Sequence, residues 1–391
     1  MISPTPLQTG GNRASGPSLL ASIKGKLVFK PLVYGYANAR VHGLYSQFLT
    51  PEQLHALTIA PTTDSMVELL ERTSYKEDLV ALSLQFKGDD LMELAVSRNF
   101  ARFATKLLNF CPAGAEPVLR AILARWDVHN LKIVLLARRQ KKTFESVLPY
   151  LVLAGTLDED KLRLFYSAPD PETIYHLLRV GESGQILNLT LENEPRMTER
   201  LRKTMLAIDS VPTLQLMMDE LDRLTYFMTL KATSGFGDKD MASVISLLSA
   251  AADEKNLSTI LRLRAVGVRP SEVRKYLVPG GHFPENKWVA LASEGPESPA
   301  FRSVCARMGW AGALVQYDKD HSLSNFEVSM ARLSAMRSIK AFRSSQMSIG
   351  VLVGALLLKE QDMGNIRKVI SGKTLRLPPA EIEKMLVHAH S

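Results

Sequence analysis

Cysteine is scarce. Cys111 and Cys305 are the only two in 391 residues, far apart and without a CxxC partner. This excludes a disulfide framework and a cysteine-based zinc site, and fits a reducing compartment. Long apolar runs are missing too. The most apolar stretch, Ile349 to Leu358, is ten residues long and ends at Lys359 and Glu360. A helix needs ~20 apolar residues to cross a bilayer core, so this one reads as buried in protein. Gly350 and Gly354 within it form GxxxG, a spacing that lets helices approach closely. Aromatics are few at 7%, beside plentiful Leu, Ala and Met, a balance that favours helices over sheets. Acids are absent from the first fifty residues. Residues 1–30, rich in Gly, Ser and Pro up to Pro17, are transit-like in charge but lack a cleavage-site pattern, and read as a flexible extension.

What remains is ordinary for a folded chain. Apolar residues at 46% and charged residues at 23% exclude disorder of the whole. The net charge of +8 would suit an acidic protein, an anionic membrane surface or a nucleic acid. Its densest part runs from Ser97 to Lys142, where ten Lys or Arg face only Glu116 and Asp127.

Apolar residues recur at helical spacing along most of the chain, as in Asp64–Arg72, Glu172–Arg179 and Thr213–Leu224. Thr50-Pro51-Glu52 and Asp170-Pro171-Glu172 offer a cap followed by proline at the first helical position, and Arg269-Pro270-Ser271-Glu272 does so less well. The fold class is all-α.

Three segments then align without gaps: Asp127–Arg138, Asp253–Arg264 and Asp362–Lys373. With the asparagine (Asn130, Asn256, Asn365) as zero, aspartate stands at −3 each time. Leu or Ile stands at +1, Val or Ile at +4, Leu or Ile at +5, and a cation (Arg138, Arg264, Lys373) at +8. Leucine returns at +21 as Leu151, Leu277 and Leu386. Pro270 with Glu272 and Pro379 with Glu381 match at +14 and +16. Such recurrence by chance is rarer than about one in a thousand at ordinary residue usage. The chain is therefore an internal repeat, divided as 31–152, 153–280 and 281–391 after the extension. At ~100° per residue the acid, the base and the apolar positions share one face. Acid and base lie ~16 Å apart along the axis, too far to pair. The aspartate either caps the helix or finds a partner elsewhere, because an unpaired charge on a packed face is costly. A motif present three times is expected to be structural, since a catalytic constellation is assembled once.

No catalytic, cofactor or metal residue is assigned. Gly372-Lys373-Thr374 ends like a phosphate loop, but the glycine needed five residues earlier is Arg367, and a helix C-cap is the better reading. Gly235-Phe236-Gly237 lacks the third glycine of a dinucleotide fingerprint and reads as a helix-leading loop. The eight histidines show no metal spacing; His388 and His390 lie near the end of the chain. Cys111 reads as a buried structural thiol.

Tyr34-Gly-Tyr36-Ala-Asn38-Ala-Arg40-Val, Leu49-Thr50-Pro51-Glu52, Leu57 and Leu70-Glu-Arg-Thr73-Ser-Tyr75 resemble the opening of the archaeal-type ATPase C subunit, homologous to the vacuolar d subunit. Leu377-Pro-Pro-Ala-Glu381 resembles its closing segment. The resemblance covers about residues 31–388, and the middle repeat departs most, with no apolar residue between Asp253 and Asn256. It implies an all-helical, pseudo-threefold funnel without cofactor or chemistry of its own. One end would rest on the proteolipid ring of a rotary ATPase, and the other would receive the central stalk (D/F-type subunits). Its place would be cytoplasmic and peripheral on the membrane. The competing reading is a helical-repeat scaffold that binds nucleic acid through the Ser97–Lys142 face, but no nucleic-acid motif accompanies the charge. The isolated chain is expected to bind no ATP. Micromolar affinity by calorimetry, lost on Lys373→Ala, would contradict that.

Overall fold

Helices are the only regular structure among the described residues, which in this computed structural model are 30–179, 199–203, 211–234, 239–344 and 347–388. The expected N-terminal extension, Gly235-Phe236-Gly237 and His390 lie outside them. In chain order the α-helices are α1 (Lys30–Tyr45), α2 (Pro51–Ile59), α3 (Thr63–Glu71), α4 (Lys76–Leu82), α5 (Gly88–Phe110) and α6 (Glu116–Arg139). After them come α7 (Glu159–Ser167), α8 (Pro171–Arg179), α9 (Val211–Ser234) and α10 (Lys239–Ala265). The last are α11 (Glu285–Leu291), α12 (Pro299–Arg307), α13 (Ala311–Asp320), α14 (Leu323–Ser344), α15 (Ile349–Thr374) and α16 (Pro379–Met385).

The starts follow the chemistry of capping. Thr50 and Gln53 form a reciprocal capping box on α2, and Asp170 accepts from the Thr173 N–H at the start of α8. Arg269-Pro270 opens a 3-10 turn, Pro270–Tyr276, instead of an α-helix. The apolar stretch at Ile349 is buried in α15, as its length requires. A Cβ on Gly354 would stand 2.9 Å from the Phe342 nitrogen, so the glycine lets α15 touch the backbone of α14. Cys305 is buried, but Cys111, expected inside, is half-exposed and donates to the Leu108 carbonyl.

Buried apolar side chains fall into three clusters. One draws on Ala124 to Met228 and a second on Ala250 to Met330. The remaining cluster joins both ends of the chain, from Ala37 to Trp126 and from Ile339 to Leu386. The three motif segments fall one to a cluster, in α6, α10 and α15, while the N-terminal halves of α6 and α10 also lend residues from Val118 to Trp126 and from Met241 to Leu247 to the cluster around α15. The motif helices pack against α9, α14 and α5 respectively. The division points expected from the repeat, after 152 and after 280, fall between members of one cluster each: Leu151 and Leu157, then Leu277 and Phe283. The aligned motif lies inside a long helix, and packing groups that helix with the elements C-terminal to it.

The motif helices end alike. Lys142 donates to Ala137, Val268 to Leu263 and Leu377 to Gly372, all at 2.9 Å, around a left-handed residue at +11. That residue is Lys141 (φ 55°), Gly267 (φ 76°) or Arg376 (φ 58°). This is the Schellman arrangement, which returns otherwise orphaned carbonyls to hydrogen bonding. Gly372-Lys373-Thr374 is therefore not the cap it resembles. α15 runs through it, and Gly372 instead makes room for Ile382, whose Cγ1 would lie 2.7 Å from an added Cβ.

A side chain at positive φ costs about 1 kcal/mol that glycine avoids. Lys141→Gly and Arg376→Gly should each raise the unfolding free energy by about 0.5–1 kcal/mol, and Gly267→Ala should lower it by a similar amount, read in chemical denaturation.

Candidate functional site: three matching clamps

The asparagine of each motif helix does one job. Asn130 Nδ2 donates to the Val152 carbonyl at 2.8 Å while its Oδ1 accepts from the Val152 N–H at 2.8 Å. Asn256 holds Val278 in the same way at 3.0 and 2.8 Å, and Asn365 holds Val387 at 2.8 and 3.0 Å. The partner stands 22 residues downstream in every copy. All three asparagines are buried, so one amide bonds both backbone groups of a loop residue that has no helix or sheet to join. The signal was in the sequence: valine follows the +21 leucine three times, as Leu151-Val152, Leu277-Val278 and Leu386-Val387.

The −3 aspartate is not a helix cap. Asp127 lies mid-way along α6, where the intrahelical ladder needs no cap, and its carboxylate receives a loop instead. Thr156 N–H (2.9 Å), Thr156 Oγ1 (3.0 Å) and Leu157 N–H (2.8 Å) all donate to it. Asp253 takes His282 N–H (2.8 Å), His282 Nδ1 (2.9 Å) and Phe283 N–H (3.4 Å) at the same offsets. Glycine precedes each donor pair by necessity. A Cβ on Gly155 or Gly281 would fall 2.2 or 2.0 Å from the carboxylate oxygen. Burial pushes both carboxyls above their ordinary range, and the donors only partly oppose it.

The third copy differs. Asp362 receives Tyr75 Oη at 2.9 Å and Lys359 Nζ at 3.0 Å. Lys359 is 3% exposed and lies over the rings of Phe48 and Tyr75. Its position, −6, is a buried alanine in the other copies, Ala124 and Ala250. The loop that faces Asp362 comes from the other end of the chain: Phe48 and Leu49 line a small cavity beside it, just before α2. In the same way Thr156–Leu157 and His282–Phe283 precede α7 and α11. Burial and the Asp362 charge hold the Tyr75 hydroxyl well above its usual pKa.

The +8 cation confirms the correspondence. Arg138 donates to Pro169 O (3.3 Å), Arg264 to Ser293 O (3.4 Å) and Lys373 to Ala60 O (2.8 Å). Each carbonyl lies at or just past the C-terminus of a short helix, α7, α11 or α2, where positive charge is favoured. A further repeated pairing had no legible signal, because the residue type varies. At +2, Lys132 meets Asp222, Ser258 meets Glu327 and Arg367 meets Glu93, each acid on the long helix that closes the unit. In the first two copies the structure thus brings the aspartate, asparagine and cation together with one loop and one short helix, and in the third their partners come from both ends of the chain; in none do they pair with each other.

Between α6, α9 and α10 lies a cavity of about 200 Å³ lined by Arg125, Asp222, Tyr226, Thr229, Thr233 and Lys255 among others. Burial lowers the Arg125 guanidinium to about 10 and raises the Tyr226 hydroxyl to about 12, and Arg125 pairs with Glu360 on α15. Its cations are paired, Lys255 with Asp222 as well as Arg125 with Glu360, and its threonine hydroxyls at 229 and 233 are turned onto carbonyls of their own helix. Ser246, His282 and Asp253 stand in the order of a hydrolytic triad, with 3.5 Å from Ser246 Oγ to His282 Nε2. Ser246 lies within α10, however, where neighbouring N–H groups are committed to the helix. The histidine is the donor of a clamp. Among the described residues no three His, Cys, Asp or Glu side chains gather as a metal would require.

Replacing Asn256 or Asn365 by alanine leaves a buried N–H and C=O unsatisfied, so each should cost about 2–4 kcal/mol in denaturant melts, and Asn130→Ala should cost less, because the Val152 carbonyl also accepts from the Ala154 N–H. Asp127→Ala and Asp253→Ala should also lower the melting midpoint, as should Asp362→Ala, which strands Lys359. Because the Asp127 and Asp253 carboxyls titrate above their usual 3.8, the stability tied to their ionisation is present below that value. It is lost as pH rises through the raised one. Acid unfolding should therefore begin elsewhere, and Asp127→Ala should not move its midpoint to lower pH.

The ATP synthase (C/AC39) subunit family matches residues 37–385. The chain is 23% identical to the C subunit of the A-type ATP synthase of Methanocaldococcus jannaschii over 371 residues, covering 93% of this chain and 88% of that one. It is likewise 23% identical to the A-type ATP synthase C subunits of Methanosphaera stadtmanae (92% and 90% covered) and Thermoplasma acidophilum (90% and 97%). A match over nearly the whole described length, on a fold whose three motif helices each hold the backbone of a valine 22 residues on through an asparagine, places the chain in the ATP synthase (C/AC39) subunit family.

Proposed function

We propose that this chain is the rotor subunit that joins the central stalk of an A/V-type ATPase to its membrane proteolipid ring, and that it transmits torque between them. It is a non-catalytic subunit of a rotary ATPase. The finer role rests on that membership together with the threefold recurrence of the clamp. Three helical units that start from equivalent helices suit a socket around a single axle tip, and this division into units is part of the proposal. No helix among the described residues is long and apolar enough to cross a membrane, so the ring would be held through exposed loops, from a peripheral position on the cytoplasmic side.

The nucleic-acid reading loses support from the same geometry. Of the ten cations in Ser97–Lys142, five pair with carboxylates: Arg98 and Arg102 with Asp78, Arg120 with Glu116, Arg125 with Glu360, and Lys132 with Asp222. Arg138 is spent on the Pro169 carbonyl.

Reconstitution tests the proposal. Catalytic head and stalk without this chain should hydrolyse ATP at the normal rate but pump no ions, and pumping should return when the chain is added. Pumping that persists without the chain would sink the coupling role. Binding to the ring should weaken as salt rises, because exposed charges are screened beyond ~8 Å at physiological ionic strength.

A further inference from the structure

An open groove of about 840 Å³ runs between the α1–α2 turn and helices α3, α4 and α5. Three exposed cations line it, Arg72, Lys76 and Lys106, and none of them makes an ion pair among the described residues. The nearby acids are already committed. Arg102 takes Glu77 and, at 2.8 Å, Asp78, while Asn99 also donates to Asp78. The groove is therefore left with uncompensated positive charge over a rigid, hydrogen-bonded floor. Val80, on α4 in the lining, is 55% exposed, and Leu84, in the turn that follows α4, is 93% exposed, so two large apolar side chains lie open close together in the chain.

We infer that this groove docks an acidic amphipathic segment of another protein. Its carboxylates would meet Arg72, Lys76 and Lys106, and an apolar side chain would cover Val80 and Leu84. The chain's own residues 1–29 are a poor occupant, since they hold no acid and carry Arg13, Lys24 and Lys26. A nucleic acid would leave Val80 and Leu84 in water, and the one aromatic ring of the lining, Phe48, is buried and cannot stack on bases. A flat anionic bilayer does not fill a concave groove. Charge complementarity with an apolar anchor is the recognised form of helix-in-groove binding. The inference does not depend on the rotor role and is tested on the isolated chain.

The probe is a fluorescein-labelled peptide of about 14 residues, built of Glu, Ala and Leu with the leucines at helical spacing. Its anisotropy should titrate saturably with the full-length chain, and affinity should fall about tenfold or more between roughly 50 and 500 mM salt. The Arg72→Gln/Lys76→Gln/Lys106→Gln variant should lose about tenfold, and Leu84→Asp should weaken binding independently. These positions are exposed, so an unchanged melting midpoint is expected and reports that the variants fold. A control that removes three other exposed cations, Lys142→Gln/Lys287→Gln/Lys319→Gln, should bind like wild type. Equal binding by the groove variant, or equal loss in the control, would overturn the inference. So would tighter, groove-dependent binding of a DNA duplex or of phosphatidylserine vesicles than of the peptide.

Discussion

A loop residue outside helix and sheet has an N–H and a C=O that must be satisfied once it is buried. In this protein three such residues, Val152, Val278 and Val387, are buried, and a single asparagine amide meets both needs of each. Everything else in a unit is arranged around that bond. The motif helix must carry the amide at its centre. The chain must leave the helix through a left-handed cap and return within 22 residues. An aspartate one turn earlier then secures the next stretch of loop, and a cation two turns later holds the end of the short helix beyond it. Because each bond is buried and directional, the helices are fixed in register as well as in contact. The torque-passing role proposed above would call on that property, since buried directional bonds oppose sliding of one helix along another.

The variations between copies are as instructive as the constant parts. In the first copy the side-chain donor to the aspartate is a threonine hydroxyl, and in the second a histidine ring occupies the same offset. In the third, a tyrosine and a lysine from −6 take over, and a charge replaces the alanine of the other copies. A buried lysine that lost Asp362 would be costly, so the substitutions in this copy are bound to one another.

Much of this was legible in the sequence, though unevenly. The class of fold followed from helical spacing and from scarce aromatics, and the three motif helices from Asp127, Asn130 and Arg138 and their counterparts. What the asparagines hold was harder to see, because a side chain-to-backbone bond places no demand on the partner's identity; only the repeated Leu-Val pair hinted at it. Asp127 looked equally like a cap, since the true start eleven residues earlier, at Glu116-Pro117, has an acid and a proline in its first turn but no capping side chain before it. The +2 pairs were invisible because Lys132, Ser258 and Arg367 share a role and not a chemistry. That the Asp362 unit is completed by α2 to α5 could not be read from any local pattern, as its contacts span 287 residues.

That last closure bears on how the molecule comes to be made. Helices α2 to α5 leave the ribosome well before their partner α15. At ~5–20 residues per second, the 287 residues between Tyr75 and Asp362 separate the two by roughly 15–60 s. The α6–α9 and α10–α14 cores are sequential and can form as they emerge. The helices α2 to α5 can be covered early by α6 and the segment that follows it, but the face that meets α15 stays open to a holdase or a neighbouring chain until translation delivers that helix.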